Sequence, residues 1–531
     1  MREGDAVDQA VHDRRWVILA VLCVTLFVTV MDNTVLNVAL PRLVSELGAS
    51  TSQLQWIVDS YTLVFAGLLL TAGSLGDRFG RKRFFIVGMV VFGLGSVLSA
   101  LAANPTQLIV TRGLMGVGGA LLTPATLSII ADVFREPRER AKAIAIWSAF
   151  AGLGSGIGPV VGGLLLSKFS WASVFWINVP IVAGGAIAAI ALLPDSRNPA
   201  AARFDPLGAV LSIVASVVLL YAIIQAPETG WTSPTIIAGF VAAAALIVAF
   251  VWWETRTSAP MLDMALFRDP RFGASNLALT IAFFCMFGMF FLLSQYLQFV
   301  KGYTPLGAGL RMAPFSLIMV VVTPRSARLA ERFGTNRIVA AGLLFAAAHL
   351  ILVGTWRPST SYAEMLVAMV LGATGMSIVS APATAAVMAA VPREKAGAGS
   401  AMNNTTRQLG GALGVALIGS LAASGYASRI GDALDAIPAE ARGAARHSLG
   451  AALRAAAEQG GAGAEFADAA RLAFSQALLR AGGVAAIVAV AGAYLALRYI
   501  PARAAGTAVP TPARPAVDPL AADPVRPSIA D

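Results

Sequence analysis

The sequence predicts an all-α polytopic membrane protein: two six-helix bundles with two extra helices between them. Three observations predict it. Of 531 residues, 57% are hydrophobic and only 13% are charged, against roughly 25% charged in soluble domains, and the mean hydropathy is +0.73. At about 20 apolar residues per crossing, the chain divides into fourteen spans. Finally, GDRFG at 76–80 returns as AERFG at 330–334, each loop lying between two spans.

The first six spans fall near 16–40, 55–75, 84–103, 106–131, 140–166 and 171–193. The remaining eight fall near 206–226, 235–253, 273–300, 306–324, 337–355, 362–391, 398–424 and 474–499. Eight spans separate the two related loops, whereas two fused six-helix halves would put six there. The surplus pair is therefore 206–226 and 235–253, and the first span maps onto the ninth, the fourth onto the twelfth and the fifth onto the thirteenth. A parallel repeat of this kind, with a site near the midplane, is an architecture that alternates between inward and outward states. The expected organisation is a cytoplasmic N-terminus (1–15), a first bundle (16–193), a linker pair (204–253), a second bundle (273–499) and a disordered, Pro- and Ala-rich cytoplasmic tail (500–531). Within the second bundle, 425–473 forms a long outer loop with charges at helical spacing, either an amphipathic helix on the surface or a lid.

Orientation follows from Lys and Arg in loops near span ends. With the N-terminus inside, cytoplasmic segments hold 26 of the 39 basic residues and outer segments 10, while Arg112, Arg311 and Arg407 lie in or at the edge of spans. Both termini are expected in the cytoplasm. The net charge of +10 sits in short clusters such as DRFGRKR and FREPRERAK, without the aromatic-interleaved basic face of a nucleic-acid binder. Cys23 and Cys285 lie in apolar runs, and His12, His349 and His447 have no metal-ligand spacing, so no metal, cofactor or disulfide is expected. The run from Trp16 is about 25 residues, too long for a signal peptide core, and is expected to remain as the first span. HExxH and GxxxxGK[ST] are missing, and the GxSxG at 154–158 falls within a span rather than at a strand-to-helix elbow. With no sizeable soluble domain, neither an enzyme nor a sensor is the expectation.

Six stretches carry chemistry. MDNTVLNVALP (31–41) puts Asp32 and Asn33 in the first span, where a central carboxylate costs about 2.5 to 3.5 kcal/mol on insertion scales. QLIVTRGLMGVGGALL places Arg112 inside the fourth span; a guanidinium there needs a carboxylate, a backbone carbonyl or water, or else it snorkels to the membrane edge. Asp32 is the candidate partner. QLQWIVDSYTLVFAG embeds Asp59 between Trp56 and Tyr61. Those aromatics either share its cavity and favour a cationic or flat substrate, or form an interfacial belt. GSLGDRFGRKR supplies Gly73, Asp77, Arg78, Gly80 and Arg81 to a gating loop in which Asp77 pairs with arginines or a helix N-terminus. GLGSGIGPVVGG carries Gly152, Gly154, Gly156, Gly158, Gly162 and Gly163 around Pro159, a density suited to close helix packing and a kink. The thirteenth span adds Asn403, Asn404, Arg407 and Gln408.

Together these stretches resemble the major facilitator superfamily, in its fourteen-helix drug:proton antiporter branch, over about residues 16–500. MDNTVLNVALP is similar to that branch's first-span motif and GSLGDRFGRKR to the superfamily loop motif. The Arg112 stretch resembles the motif linked to proton coupling, and GLGSGIGPVVGG the antiporter motif. WASVFWINVPI, entering the sixth span, also resembles the family. The resemblance implies proton-coupled export of hydrophobic, often cationic drugs across the plasma membrane of a bacterium by a monomer, or, alternatively, dedicated export of one endogenous metabolite or antibiotic. The helix 5 motif weighs against uptake. It further implies that Asp32 and Arg112 take part in coupling, Asp77 in gating and the glycines around Pro159 in exchange. WIVDSYTLVFAG is similar to the quaternary-ammonium and multidrug subgroup, making Asp59 a proton or substrate site in a cavity shared with Trp56, Tyr61, Asn33, Asn404 and Arg407. Two departures stand out: the second loop has Glu331 in place of Asp77, and the second half offers no acid in its tenth span.

Overall fold

The computed structural model describes residues 3–195, 205–258, 260, 262, 264–391 and 396–502; a few side chains on helices, Asp77 among them, lie outside the description, as do residues 503–531 of the expected tail. The first bundle is built from α1 (Glu3–Leu47), α2 (Thr51–Phe79), α3 (Arg81–Ala100), α4 (Pro105–Val133), α5 (Pro137–Lys168), α6 (Ser173–Trp176) and α7 (Asn178–Leu192). Two helices follow, α8 (Pro206–Thr229) and α9 (Pro234–Glu254). The second bundle contains α10 (Pro270–Gln295), α11 (Pro305–Phe333), α12 (Thr335–Gly354), α13 (Tyr362–Ala389) and α14 (Ala396–Ala427). The short α15 (Ala439–His447) and α16 (Leu449–Glu458) lead to the last helix, α17 (Ala464–Tyr499).

Twelve helices among the described residues are long and apolar enough to cross a membrane. α2 and α5, of 29 and 32 residues, stand where the other two spans are expected. Their starts are written in the sequence: Ser50 and Gln53 form a capping box on α2, and Asn104 caps α4 ahead of Pro105, so exposed N–H groups at these ends find acceptors. Large apolar side chains such as Val87, Leu94, Ile187, Leu317 and Ile487 are exposed on the outside of the bundles, as a lipid-facing surface requires.

Packing within the two bundles follows one scheme. α1 packs on α5 as α10 does on α14; α2 on α4 as α11 on α13; α3 on α4 and α7 as α12 on α13 and α17. Between bundles, α5 meets α11 and, symmetrically, α14 meets α2. The repeat is visible in the backbone too: Gly80 and Gly334 join their flanking helices with φ of +119° and +95°, a conformation that favours glycine. α8 lies against α2 and α14, and α9 against α8, so the linker pair flanks one of the two seams.

The face carrying the start of α1 and the α2–α3 joint is here called proximal, and the opposite face distal. Contacts cluster distally. Gln298 Nε2 donates to Val38 O at 3.0 Å, and Gln55 Nε2 to Val415 O and Ala416 O at 3.1 and 3.0 Å. Thr51 Oγ1 donates to His447 O at 2.7 Å, while Gly450 of α16 sits against Val44 and Phe299. The segment expected as an outer loop thus folds into helices that touch both bundles. The last span also starts earlier than expected, because Phe466, Ala470, Ala473 and Phe474 are buried at helical spacing and continue the apolar face of α17 past the membrane-spanning portion.

Candidate functional site

Asp32 and Arg112 meet. Arg112 Nη1 donates to Asp32 Oδ2 at 2.5 Å, and Arg112 Nε donates to Ile57 O at 3.2 Å. Arg112 is 0% and Asp32 3% exposed, and the guanidinium carbon lies 4.5 Å from the centre of the Tyr61 ring. Asp32 Oδ1 accepts from Asn178 Nδ2 at 2.8 Å; Asn178 also donates to Ser96 Oγ at 3.1 Å, and Ser96 Oγ to Phe175 O at 2.8 Å. Four transmembrane elements, α1, α3, α4 and α7, therefore share one polar network, with α2 contributing a carbonyl and a ring face. The network ties these helices together through one buried ion pair, while Arg112 Nη2 and Asn178 Oδ1 find no partner among the described residues.

Asn178 was not among the residues singled out from the sequence. Its position depends on the break between α6 and α7. Pro180 has no N–H to give to Trp176 O, so the helix loosens at Ile177. The asparagine in WINVP was the available signal.

Asp59 presents the opposite situation. It is 0% exposed, and neither carboxylate oxygen has a hydrogen-bond partner among the described residues. It lies one helical turn from Gln55, whose amide reaches α14, and residues four apart share a helix face; Asp59 is thus on the side of α2 turned to the other bundle. Tyr61 and Ile57 occupy the side turned to Arg112. Trp56 packs in an apolar cluster with Leu220, Ile223 and Ile224 of α8, away from the ion pair. Asn33 donates to Thr29 O on its own helix at 3.4 Å.

In the second bundle, Asn404 and Arg407 are half-buried. Arg407 lies with its guanidinium carbon 4.5 Å from the Phe283 ring centre. At the proximal loop, Gly73 faces Pro124 of α4, Arg78 lies over Phe79, and Arg81 pairs with Asp132 as well as donating to Ser128 O. The loop is thereby tied to the end of α4. The Asp77 side chain, expected there as a latch, lies outside the described residues.

The glycines around Pro159 have two faces. A Cβ at Gly154 would stand 2.8 Å from Phe27 O, one at Gly158 would overlap Thr34, and one at Gly162 would meet Val35; this face seats α5 on α1. A Cβ at Gly156 would stand 2.9 Å from Ser316 Cβ, and one at Gly163 2.7 Å from Leu306 Cα; this face seats α5 on α11 of the other bundle. Gly309 of α11 rests on the Pro159 carbonyl, and Gly152 faces open space.

Comparison with known proteins agrees with this architecture. The profile of the Major Facilitator Superfamily matches residues 22–415. A multidrug efflux pump, LfrA of Mycolicibacterium smegmatis, is 35% identical over 492 residues, 92% of this chain and 97% of that protein. A puromycin resistance protein of Streptomyces alboniger is 36% identical, covering 80% of this chain and 86% of its own. The crystal structure of a bacterial homologue of the human lysosomal transporter Spinster, inward-facing and unoccupied, shares the fold with a TM-score of 0.64 at 21% identity, covering 92% and 97% of the two chains. With its two pseudo-symmetric bundles, its buried ion pair and this match over most of its length, the chain belongs to the Major Facilitator Superfamily.

Proposed function

We propose that the protein is a proton-coupled antiporter that exports hydrophobic, often cationic drugs or toxic small molecules across a bacterial plasma membrane. In this reading the chain crosses the membrane fourteen times as a monomer, with the proximal face and both termini in the cytoplasm. The observation that carries it is the contrast between two buried acids of one bundle: Asp32, saturated by Arg112 and Asn178, and Asp59, without a partner among the described residues. The efflux function named for the LfrA relative supports it as well.

Asp59 is the exchange site, taking a proton or a cationic substrate but not both. The Asp32–Arg112 pair is the coupling element, since Arg112 also holds Ile57 O and covers Tyr61, the residues that flank Asp59 along α2. Closing one face and opening the other presents Asp59 to water on alternate sides. The distal contacts of Gln55, Gln298 and α16 are those that must part when the outer face opens, and α15–α16 act as a clasp over it. One charge moved through 100 mV releases about 2.3 kcal/mol and one pH unit about 1.36 kcal/mol, so a neutral substrate exchanged for one proton is driven uphill roughly 500-fold. A monovalent cation exchanged for one proton moves no net charge and gains about tenfold per pH unit, so strong cation export requires a second proton. The two first-bundle acids provide for one.

A second reading, dedicated export of one antibiotic or endogenous metabolite, is favoured by the puromycin resistance relative and by Arg407, whose guanidinium suits an anionic compound. Inverted vesicles energised with a proton gradient separate the two. Uptake of both ethidium and quaternary ammonium compounds is expected; uptake of an acidic metabolite alone supports the dedicated exporter instead.

A further inference from the structure

The pseudo-symmetry of the bundles can be followed residue by residue through their glycine contacts. Gly158 lies under the carbonyl of Met31 and Gly414 under that of Phe284; the residues that follow are Asp32 and Cys285. Gly88 packs on the carbonyl of Gly118 and Gly342 on that of Gly375; six residues earlier on the partner helices stand Arg112 and Met369. Nineteen residues before the joints at Gly80 and Gly334 stand Tyr61 and Phe315. The carboxylate, guanidinium and phenol of the first bundle are thus replaced in the second by a thiol, a thioether and a plain ring.

These three residues line one cavity, together with Met286, Met289, Met376 and His349. It lies among α10, α11, α12 and α13, inside the second bundle, with a free volume of only about 20 Å³, so a ring enters as the flexible methionine side chains give way. None of its lining residues is an acid, a lysine or an arginine. Where Gly95 packs against Met115 in the first bundle, the equivalent contact is His349 against Gly372, so the bulky partner has moved from one helix to the other. His349, 6% exposed, has Nδ1 2.7 Å from Ala368 O. Only an N–H makes that bond, which leaves Nε2 of the neutral imidazole with its lone pair.

We propose that this cavity is a second binding site, selective for an uncharged aromatic molecule carrying one hydrogen-bond donor, such as a phenol or naphthol. The ring is held by methionine sulfurs and by Phe290 and Phe315, which already form an edge-to-face pair at 4.8 Å; thioether–aromatic contacts are favourable, and unbranched Met side chains move aside to admit a guest. The hydroxyl donates to His349 Nε2. A cation is refused because burying it without a counter-ion is costly, the reverse of the preference proposed for Asp59. The first bundle then offers a charged site at Asp59, and the second an uncharged one lined by the counterparts of Asp32, Arg112 and Tyr61.

The test is equilibrium dialysis of the purified full chain in nanodiscs against naphthol and its methyl ether, with protein-free nanodiscs as the blank and no ion gradient. Failure of proton-coupled export leaves this experiment unaffected. Saturable naphthol binding is expected, about tenfold tighter than the ether, as one hydrogen bond supplies. His349→Leu should erase that preference while retaining ether binding, and Ala346→Phe, which fills the cavity, should abolish both. Binding that does not saturate, or an undiminished preference in His349→Leu, overturns the proposal. Should Ala346→Phe fail to fold, His349→Leu alone decides.

Discussion

At the scale of single residues, Asp32 and Asp59 are both buried in the first bundle but differ in what surrounds the carboxylate. Asp32→Asn keeps the side-chain shape and an acceptor for Arg112 while removing the charge. Proton-driven dye efflux should fall to background with the protein still inserted at near-normal levels; efflux and membrane abundance measured together check this, and unchanged efflux removes Asp32 from coupling. Asp59→Asn should lower transport of cationic substrates at least tenfold more than that of neutral ones, the scale of one lost charge interaction of about 1.4 kcal/mol. Equal losses for both classes would assign Asp59 to the proton alone. The acids and Arg112 were legible in the sequence because charge in an apolar span is conspicuous. Asn178 was not, since its role depends on a helix break that turns its amide toward Asp32. Tyr61 was legible as an aromatic near an acid, but the structure gives its ring to Arg112.

At the scale of elements, α5 is the helix on which both interfaces depend. Gly158→Leu drives a side chain into Thr34 and Met31 of α1, and overpacking of this kind costs about 1 to 3 kcal/mol. A fall in the thermal unfolding midpoint and in export is expected. Gly152→Ala, facing open space, should remain within about 0.5 kcal/mol of the parent; comparable damage in both variants would show that glycine content, rather than packing against α1, is what matters. The glycine density was plain from the sequence, but its division into one face for α1 and another for α11 required the positions of both helices. Helix ends were less legible. α17 begins well before the expected 474 because Phe466 and Ala470 continue its buried face, and hydropathy registers the membrane rather than the helix.

At the scale of the molecule, the loops GDRFG and AERFG were enough to reveal two related bundles with a helix pair between them, and the packing scheme repeats accordingly. The chemical asymmetry of those bundles was not legible, because Cys285 and Met369 look like ordinary span residues until the fold sets them opposite Asp32 and Arg112. Among the described residues the acids buried within the two bundles, Asp32 and Asp59, both lie in the first, so the driving ion should act there, and this is the account's central claim. It is tested most directly in proteoliposomes holding the purified protein, with a pH difference as the sole gradient and ethidium as the cargo. Uphill ethidium movement that stops on adding a protonophore, and that Asp32→Asn liposomes lack, is the expected result; ethidium movement undiminished by the protonophore would contradict it.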